Sequence, residues 1–231
     1  MCVCVCVCVH ACALQDWPDN VAFYNGTDSG GECGVSTTTR YPMVLPAGAS
    51  DPLRNGWYTV THGPMTTIML NSELPVDPSS AQYAYLQSAL AAVNRTITPW
   101  LFVAFHRPMY YGGVRDPNFG QFESLLMQYK VDIVFTGHEH YAQVTCPVYR
   151  SQCVSAPAGQ YDAPVHVIIG NAGMSLTPSS PDPMLRYQNS EYGYSTLHIK
   201  SAQHLEMNFY ADDTNALHYT LTLDRTYPRS A

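Results

Sequence analysis

Three short, predominantly apolar runs constrain this chain more than any other feature: WLFVAF at 100–105, VDIVFT at 131–136 and VHVIIG at 165–170. A strand with one wet face alternates apolar and polar residues, whereas a strand covered on both faces reads as a continuous apolar run. Each run is therefore expected to be a strand inside a sheet that carries layers on both sides. Between them lie helix-period segments. Residues 79–95 place Tyr83, Leu86, Leu90 and Val93 three and four apart after a Pro78-Ser79-Ser80 start signal, and predict a helix. Residues 118–130 place Phe119, Phe122, Leu125, Leu126 and Tyr129 on one side and predict a second. Residues 66–71 (TTIMLN) read as a further short strand. Residues 194–200, 205–211 and 216–224 alternate apolar with polar and are joined by short polar turns, the signature of an antiparallel meander. Strand–helix repetition followed by a meander predicts a layered α/β domain with a mixed sheet. Residues 16–52, rich in Gly, Pro, Ser and Thr, read as a long ordered loop, and residues 141–164 as a Cys/Pro loop.

Composition narrows the function classes. The 231 residues are 46% hydrophobic and 13% charged, enough apolar content for a core and too little charge for disorder. With 11 Lys+Arg against 18 Asp+Glu, a net charge of −7 and no basic cluster, the chain is not expected to bind nucleic acid or an anionic membrane. No run approaches the ~18 apolar residues of a membrane-spanning helix.

Five of the eight cysteines fall in the first twelve residues, where Cys and Val alternate strictly from Cys2 to Val9. The alternation fits a strand with thiols on one face. Thiols two apart also resemble soft-metal ligands, although zinc sites space their Cys pairs by two to four residues. It is equally what an in-frame TG dinucleotide repeat encodes. Ala11-Cys12-Ala13 mimics the small-residue cleavage site of a signal peptide, yet no basic n-region precedes it and the apolar run is only eight Cys and Val residues. Residues 1–13 are expected to stand outside the fold, leaving 14–231 as the domain. Of the remaining cysteines, Cys146 and Cys153 frame a short loop and are candidates for a local disulfide, while Cys33 is odd. Asn25 and Asn94 head Asn-x-Thr acceptors for N-glycosylation.

Two positions carry the chemistry. The run ending at Phe105 leads into His106-Arg107-Pro108-Met109-Tyr110, and the run ending at Thr136 into Gly137-His138-Glu139-His140. Ligand sites of open α/β sheets lie at the carboxyl ends of the strands, so His106, His138 and His140 are expected to converge there. Histidines two apart in extended chain project to one side, and imidazole suits first-row metals. Arg107 is a candidate contact for an anionic substrate, and equally for a carboxylate. The remaining histidines, His10, His62, His166, His198, His204 and His218, default to surface or hydrogen-bonded core positions.

These two blocks, VAFHRPMY at 103–110 and GHEH at 137–140, resemble the VxxH and GHxH blocks of the purple acid phosphatases. GHxH alone is common to the calcineurin-like metallophosphoesterases. Its combination with HRPMY and with SGGECGV at 29–35 narrows the resemblance, which also takes in Thr98-Pro99-Trp100, residues 165–173 and YGYST at 192–196. It implies a layered α/β/β/α sandwich, incomplete on its N-terminal side, ending in the antiparallel meander. It implies hydrolysis of phosphate monoesters at acidic pH by Fe(III) paired with Fe, Zn or Mn about 3.5 Å away, in a secreted, lysosomal or vacuolar protein. His106 and His138 would hold the divalent ion and His140 the ferric ion. The family's other ligands come from GDxG, GDxxY and GNH blocks, and none of these occurs in the sequence. Where GNH is expected, just ahead of Asp16-Trp17-Pro18, stands Cys12-Ala13-Leu14-Gln15. Three neutral imidazoles supply none of the anionic oxygen that Fe(III) prefers, nor the tyrosinate behind the family's colour. The expectation is a chain with little or no activity alone. The alternatives are a non-catalytic binding or assembly fragment, with a partner chain over an uncovered sheet edge, or an incomplete gene product.

Overall fold

The computed structural model describes residues 2–3, 56–72, 74–154, 162–173, 175–178 and 180–225. In chain order these form β1 (Cys2–Val3), β2 (Tyr58–His62), β3 (Met65–Met69), α1 (Ala81–Ala92), β4 (Trp100–Ala104), β5 (Tyr110–Tyr111) and β6 (Val114–Arg115). A 3-10 turn (Phe119–Gln121) and α2 (Glu123–Gln128) follow, then β7 (Ile133–Thr136), β8 (Ala142–Tyr149), β9 (Gln152–Cys153), β10 (Val165–Ile169), β11 (Leu185–Asn189), β12 (Gly193–Ile199), β13 (His204–Ala211) and β14 (Leu217–Asp224). The expected loop over 16–52, with Cys33 and Asn25 inside it, lies outside the described residues.

The apolar runs form the middle of a mixed sheet ordered β11-β8-β10-β7-β4-β3-β2, with β9 paired to β8. β10, β7, β4 and β3 run parallel, and β2, β8 and β11 close the sheet antiparallel. The meander is a second sheet, β1-β12-β13-β14, antiparallel throughout. Alternate residues of each run enter different cores, which is why the runs are almost wholly apolar, Asp132, Thr136 and His166 being the polar exceptions and all buried. Leu101, Val103, Phe105 and Val134 pack under Leu86 and Leu90 of α1 and Leu125 and Leu126 of α2. Trp100, Phe102, Ala104, Ile133, Phe135, Val165 and Val167 face Leu197, Leu205, Met207, Phe209, Leu221 and Leu223 of the meander. Each such buried side chain contributes about 1.5–3 kcal/mol, so the two interfaces hold the layers. Among the described residues the layers are helix, sheet, sheet. The outer face of the meander, bearing Tyr194, Glu206 and Thr220, carries no described helix.

Local chemistry explains where the elements stop. Ser80 caps α1 by accepting from the Tyr83 amide at 3.1 Å. The helix ends at Ala92, short of the expected 95, because the Asn94 carboxamide oxygen takes the Thr96 amide at 3.0 Å and turns the chain. The helix expected over 118–130 is broken into the 3-10 turn and α2. Asp116 caps the amide of Asn118 at 2.8 Å, Arg115 draws off the Gly120 carbonyl at 2.9 Å, and Lys130 leaves in the left-handed region at φ +52°. At the amino end of the parallel strands, buried Asp132 pairs with Arg95 at 2.8 Å, accepts the Leu101 amide at 2.7 Å and lies 3.8 Å from Arg225. Arg225 in turn lies over the Trp100 ring at 3.9 Å.

The expected Cys/Pro loop is corrected in its first half, where β8 runs between β10 and β11. Pro147 is tolerated because β11 pairs only with Ala142 to Thr145, leaving the missing N–H beyond that partner. Cys146 and Cys153 form a disulfide with Cα atoms 5.6 Å apart, closing the β8–β9 turn. Of the Cys-Val tract, Cys2 and Val3 are described, and they pair antiparallel with His198 and Leu197 at the edge of β12. These two residues thus join a sheet, the strand reading of the alternation, and the rest of the tract lies outside the described residues.

Candidate metal centre

β4 and β7 are parallel neighbours, so the segments leaving their carboxyl ends emerge side by side. The Phe105 amide donates to the Phe135 carbonyl at 3.1 Å and the Gly137 amide to the His106 carbonyl at 2.9 Å. This pairing brings His106 and His138 together with ring centroids 5.0 Å apart and planes at 81°. His138 takes φ +63°, a conformation that costs an L-residue about 1–2 kcal/mol. The tight turns that follow, Glu139 amide to Gly137 carbonyl at 2.7 Å and Tyr141 amide to Glu139 carbonyl at 2.9 Å, hold it there. The end of β10 passes against this backbone: a Cβ on Gly170 would stand 1.9 Å from the Glu139 carbonyl oxygen, so only glycine fits.

The hydrogen bonds fix the tautomers. Arg107 Nη1 lies 3.1 Å from His138 Nε2, and His138 Nδ1 lies 3.2 Å from His106 Nε2. A guanidinium only donates, so His138 Nε2 accepts, its Nδ1 carries the proton, and His106 Nε2 accepts in turn. Burial holds the His106 pKa down to about 3, helped by the neighbouring His138, Arg107 and His140. Burial, then Arg107 and His140, lowers His138 to about 4. Both rings are therefore neutral at neutral and mildly acidic pH. Burial raises the pKa of half-buried Glu139, and the neighbouring His140 opposes the rise.

Of the expected ligands, His106 and His138 meet, together with Arg107, whose amide also donates to Ser72 Oγ at 3.3 Å. His140 turns to a different neighbour. Its Nδ1 lies 2.6 Å from the Ser175 carbonyl and its amide donates to Thr177 Oγ1 at 3.1 Å. A carbonyl only accepts, so His140 Nδ1 carries a proton. Ser72, Gly170, Ser175 and Thr177 shape the site without a sequence signal; Ser175 and Thr177 sit in an aperiodic Ser/Thr/Pro stretch.

This donor set does not fit a binuclear centre. The lone pairs of His138 Nε2 and His106 Nε2 accept from Arg107 and His138, so neither is free for a metal bond while these contacts hold. No carboxylate joins them: among the described residues no group of three His, Cys, Asp or Glu side chains is placed to hold a metal ion. Fe(III) beside a divalent ion needs anionic oxygen, and the positive guanidinium opposes it.

Two family models match the chain, one described as calcineurin-like phosphoesterase over residues 19–142 and one as iron/zinc purple acid phosphatase-like protein C over residues 163–218. Fold, strand-end histidines and these matches together make the chain a member of the calcineurin-like metallophosphoesterases, and within them of the purple acid phosphatases. It is 32% identical, over 92% of its length, to an Arabidopsis thaliana protein named probable inactive purple acid phosphatase 27. It is 31% identical, over 79% of its length, to purple acid phosphatase 1 of Ipomoea batatas. The structure of a purple acid phosphatase isolated from yellow lupin seeds matches with a TM-score of 0.82 at 27% identity, covering 93% of this chain and 39% of that one. The chain spans 37% and 41% of the two sequence relatives.

Proposed function

We propose that these 231 residues carry an acid-phosphatase-type site that does not hydrolyse phosphate monoesters by itself. The family's chemistry uses Fe(III) with Fe, Zn or Mn to activate hydroxide for attack on the phosphoester. By family pattern His106 and His138 are the divalent ligands and His140 the ferric ligand. One observation carries the reading against activity: the chain of donors from Arg107 to His138 to His106 uses the lone pairs that two metal bonds would need. A relative named probable inactive is consistent with a site of this kind. The disulfide agrees with an oxidising compartment, and therefore with a secreted or vacuolar chain. The direct test is turnover of p-nitrophenyl phosphate at pH 5 with Fe and Zn or Mn supplied. No turnover above the metal-only blank is expected; turnover that disappears in His138→Ala would overturn the proposal.

A second reading, a non-catalytic assembly fragment, draws on the outer face of the meander. Tyr194 and Tyr210 stack there at 5.1 Å, Tyr194 is 40% exposed, and Leu217 nearby is 55% exposed. Described residues of β1 cover the β12 edge only at Leu197 and His198. A partner chain laid on this edge or face would bury both tyrosines. A single monodisperse monomer in size-exclusion chromatography at micromolar concentration counts against it.

A further inference from the structure

We propose that Asn94 is N-glycosylated and that the first sugars of its glycan lie in the groove between β2 and the carboxyl end of α1. The inference is independent of any phosphatase reading. Asn94 and Thr96 are both exposed in the turn after α1, the surface position that glycan transfer requires. The acceptor tripeptide is already folded for reaction. Asn94 Oδ1 accepts from the Thr96 hydroxyl at 2.6 Å and the Thr96 amide at 3.0 Å, which holds the carboxamide by its oxygen and leaves Nδ2 outside these bonds on an exposed residue. In the transfer Nδ2 attacks the anomeric carbon of a lipid-diphosphate oligosaccharide. The carbon–oxygen bond to the diphosphate breaks, the lipid diphosphate leaves with the electron pair, and Nδ2 gives up one of its two protons. The Cys146–Cys153 disulfide is a separate sign of passage through an oxidising compartment, where this donor is found.

The groove matches the chemistry of the sugar. Asn94 stands in its wall beside Ile97, with Thr59, Thr61, Tyr85 and Ser88 completing it around a volume of about 480 Å³. That lies within the ~300–1,000 Å³ of small-ligand sites. Its polar atoms are hydroxyls rather than charges: Thr59 and Tyr85 share a hydrogen bond at 2.9 Å, and Thr66 donates to Thr98 at 2.9 Å. Its apolar surface comes from Ala89, Ala92, Val93 and Ile97, of which Ile97 is 70% exposed, suited to the flat apolar face of a pyranose. Among the described residues β2 is the last strand of the mixed sheet; four of its five residues are exposed, Val60 at 42%. A glycan seated in the groove lies against this strand and shields its exposed residues from water and from other chains.

The test is secretion of the full chain behind a heterologous leader, with glycopeptide mapping of Asn94. Hydrogen exchange of residues 58–62 is then compared before and after native enzymatic deglycosylation. A glycan is expected at Asn94, retained in Thr96→Ser and lost in Asn94→Gln, and deglycosylation should speed exchange of the β2 amides roughly threefold. An unmodified Asn94 in the secreted chain overturns the site. A modified Asn94 with β2 exchange unchanged by deglycosylation overturns its seating in the groove.

Discussion

Replacing His166 by leucine should make the fold less sensitive to acid, by an amount that follows from the place of the imidazole. His166 lies on β10 at 2% exposure, its ring 4.9 Å from that of Tyr110 in edge contact, with Nδ1 lacking a hydrogen-bond partner. Burial lowers its pKa from 6.5 to about 3. The unfolded chain therefore takes up this proton more readily than the native one. The His166 contribution is fully present above pH 6.5 and is lost progressively as pH falls toward 3. Integrated between pH 7 and pH 5, the loss is about 2 kcal/mol. Leucine has a similar volume and does not titrate. Losing the edge contact costs about 0.5–1.5 kcal/mol. Removing an unpaired buried nitrogen recovers about 1–3 kcal/mol, so stability at pH 7 changes little. Urea unfolding of both proteins at pH 7 and pH 5 isolates the effect, because His106 and His138 titrate alike in each. The wild type should lose about 2 kcal/mol more than the variant between the two pH values. Equal losses would refute the reasoning.

Three further outcomes follow from the packing. Asp132→Ala leaves Arg95 and Arg225 buried beside an absent carboxylate, and should cost about 3–5 kcal/mol in urea unfolding; a cost below 1 kcal/mol contradicts the pairing. Gly170→Ala drives a Cβ to 1.9 Å from the Glu139 carbonyl, so amide exchange of residues 137–141 should accelerate while α1 is unaffected. Unchanged exchange at 137–141 would show that this backbone can yield. Reducing the Cys146–Cys153 disulfide opens a short loop and should lower stability by about 2–3 kcal/mol at neutral pH, read as a drop in the urea midpoint; an unmoved midpoint would show that β8 and β9 hold their turn unaided.

The middle of the fold was legible because three runs had to be covered on both faces, and nothing else explains WLFVAF, VDIVF and VHVII together. The meander was legible from its alternation, each inner residue from Leu197 to Leu223 falling on the buried side. β8 was not, because Pro147 and two cysteines outweighed the apolar residues around them, and only the short reach of β11 makes a proline acceptable there. The site was legible in part. Strand ends pointed to His106 and His138 side by side, since β4 and β7 are neighbours, while the expected convergence of His140 with them is not what its contacts to Ser175 and Thr177 give. Sequence could not tell that Arg107 would turn onto His138, or that a backbone carbonyl 35 residues away would take His140. Those contacts depend on loop paths that leave no periodic trace.

The claim that the described residues do not make up a complete set of metal ligands is tested most directly by counting metal. The purified chain would be loaded with Fe(III) and Zn(II), freed of unbound ions, and measured by plasma mass spectrometry beside His138→Ala. The account predicts well under one tightly held ion per chain, unchanged by the substitution. Two ions per chain, lost in His138→Ala, would contradict it.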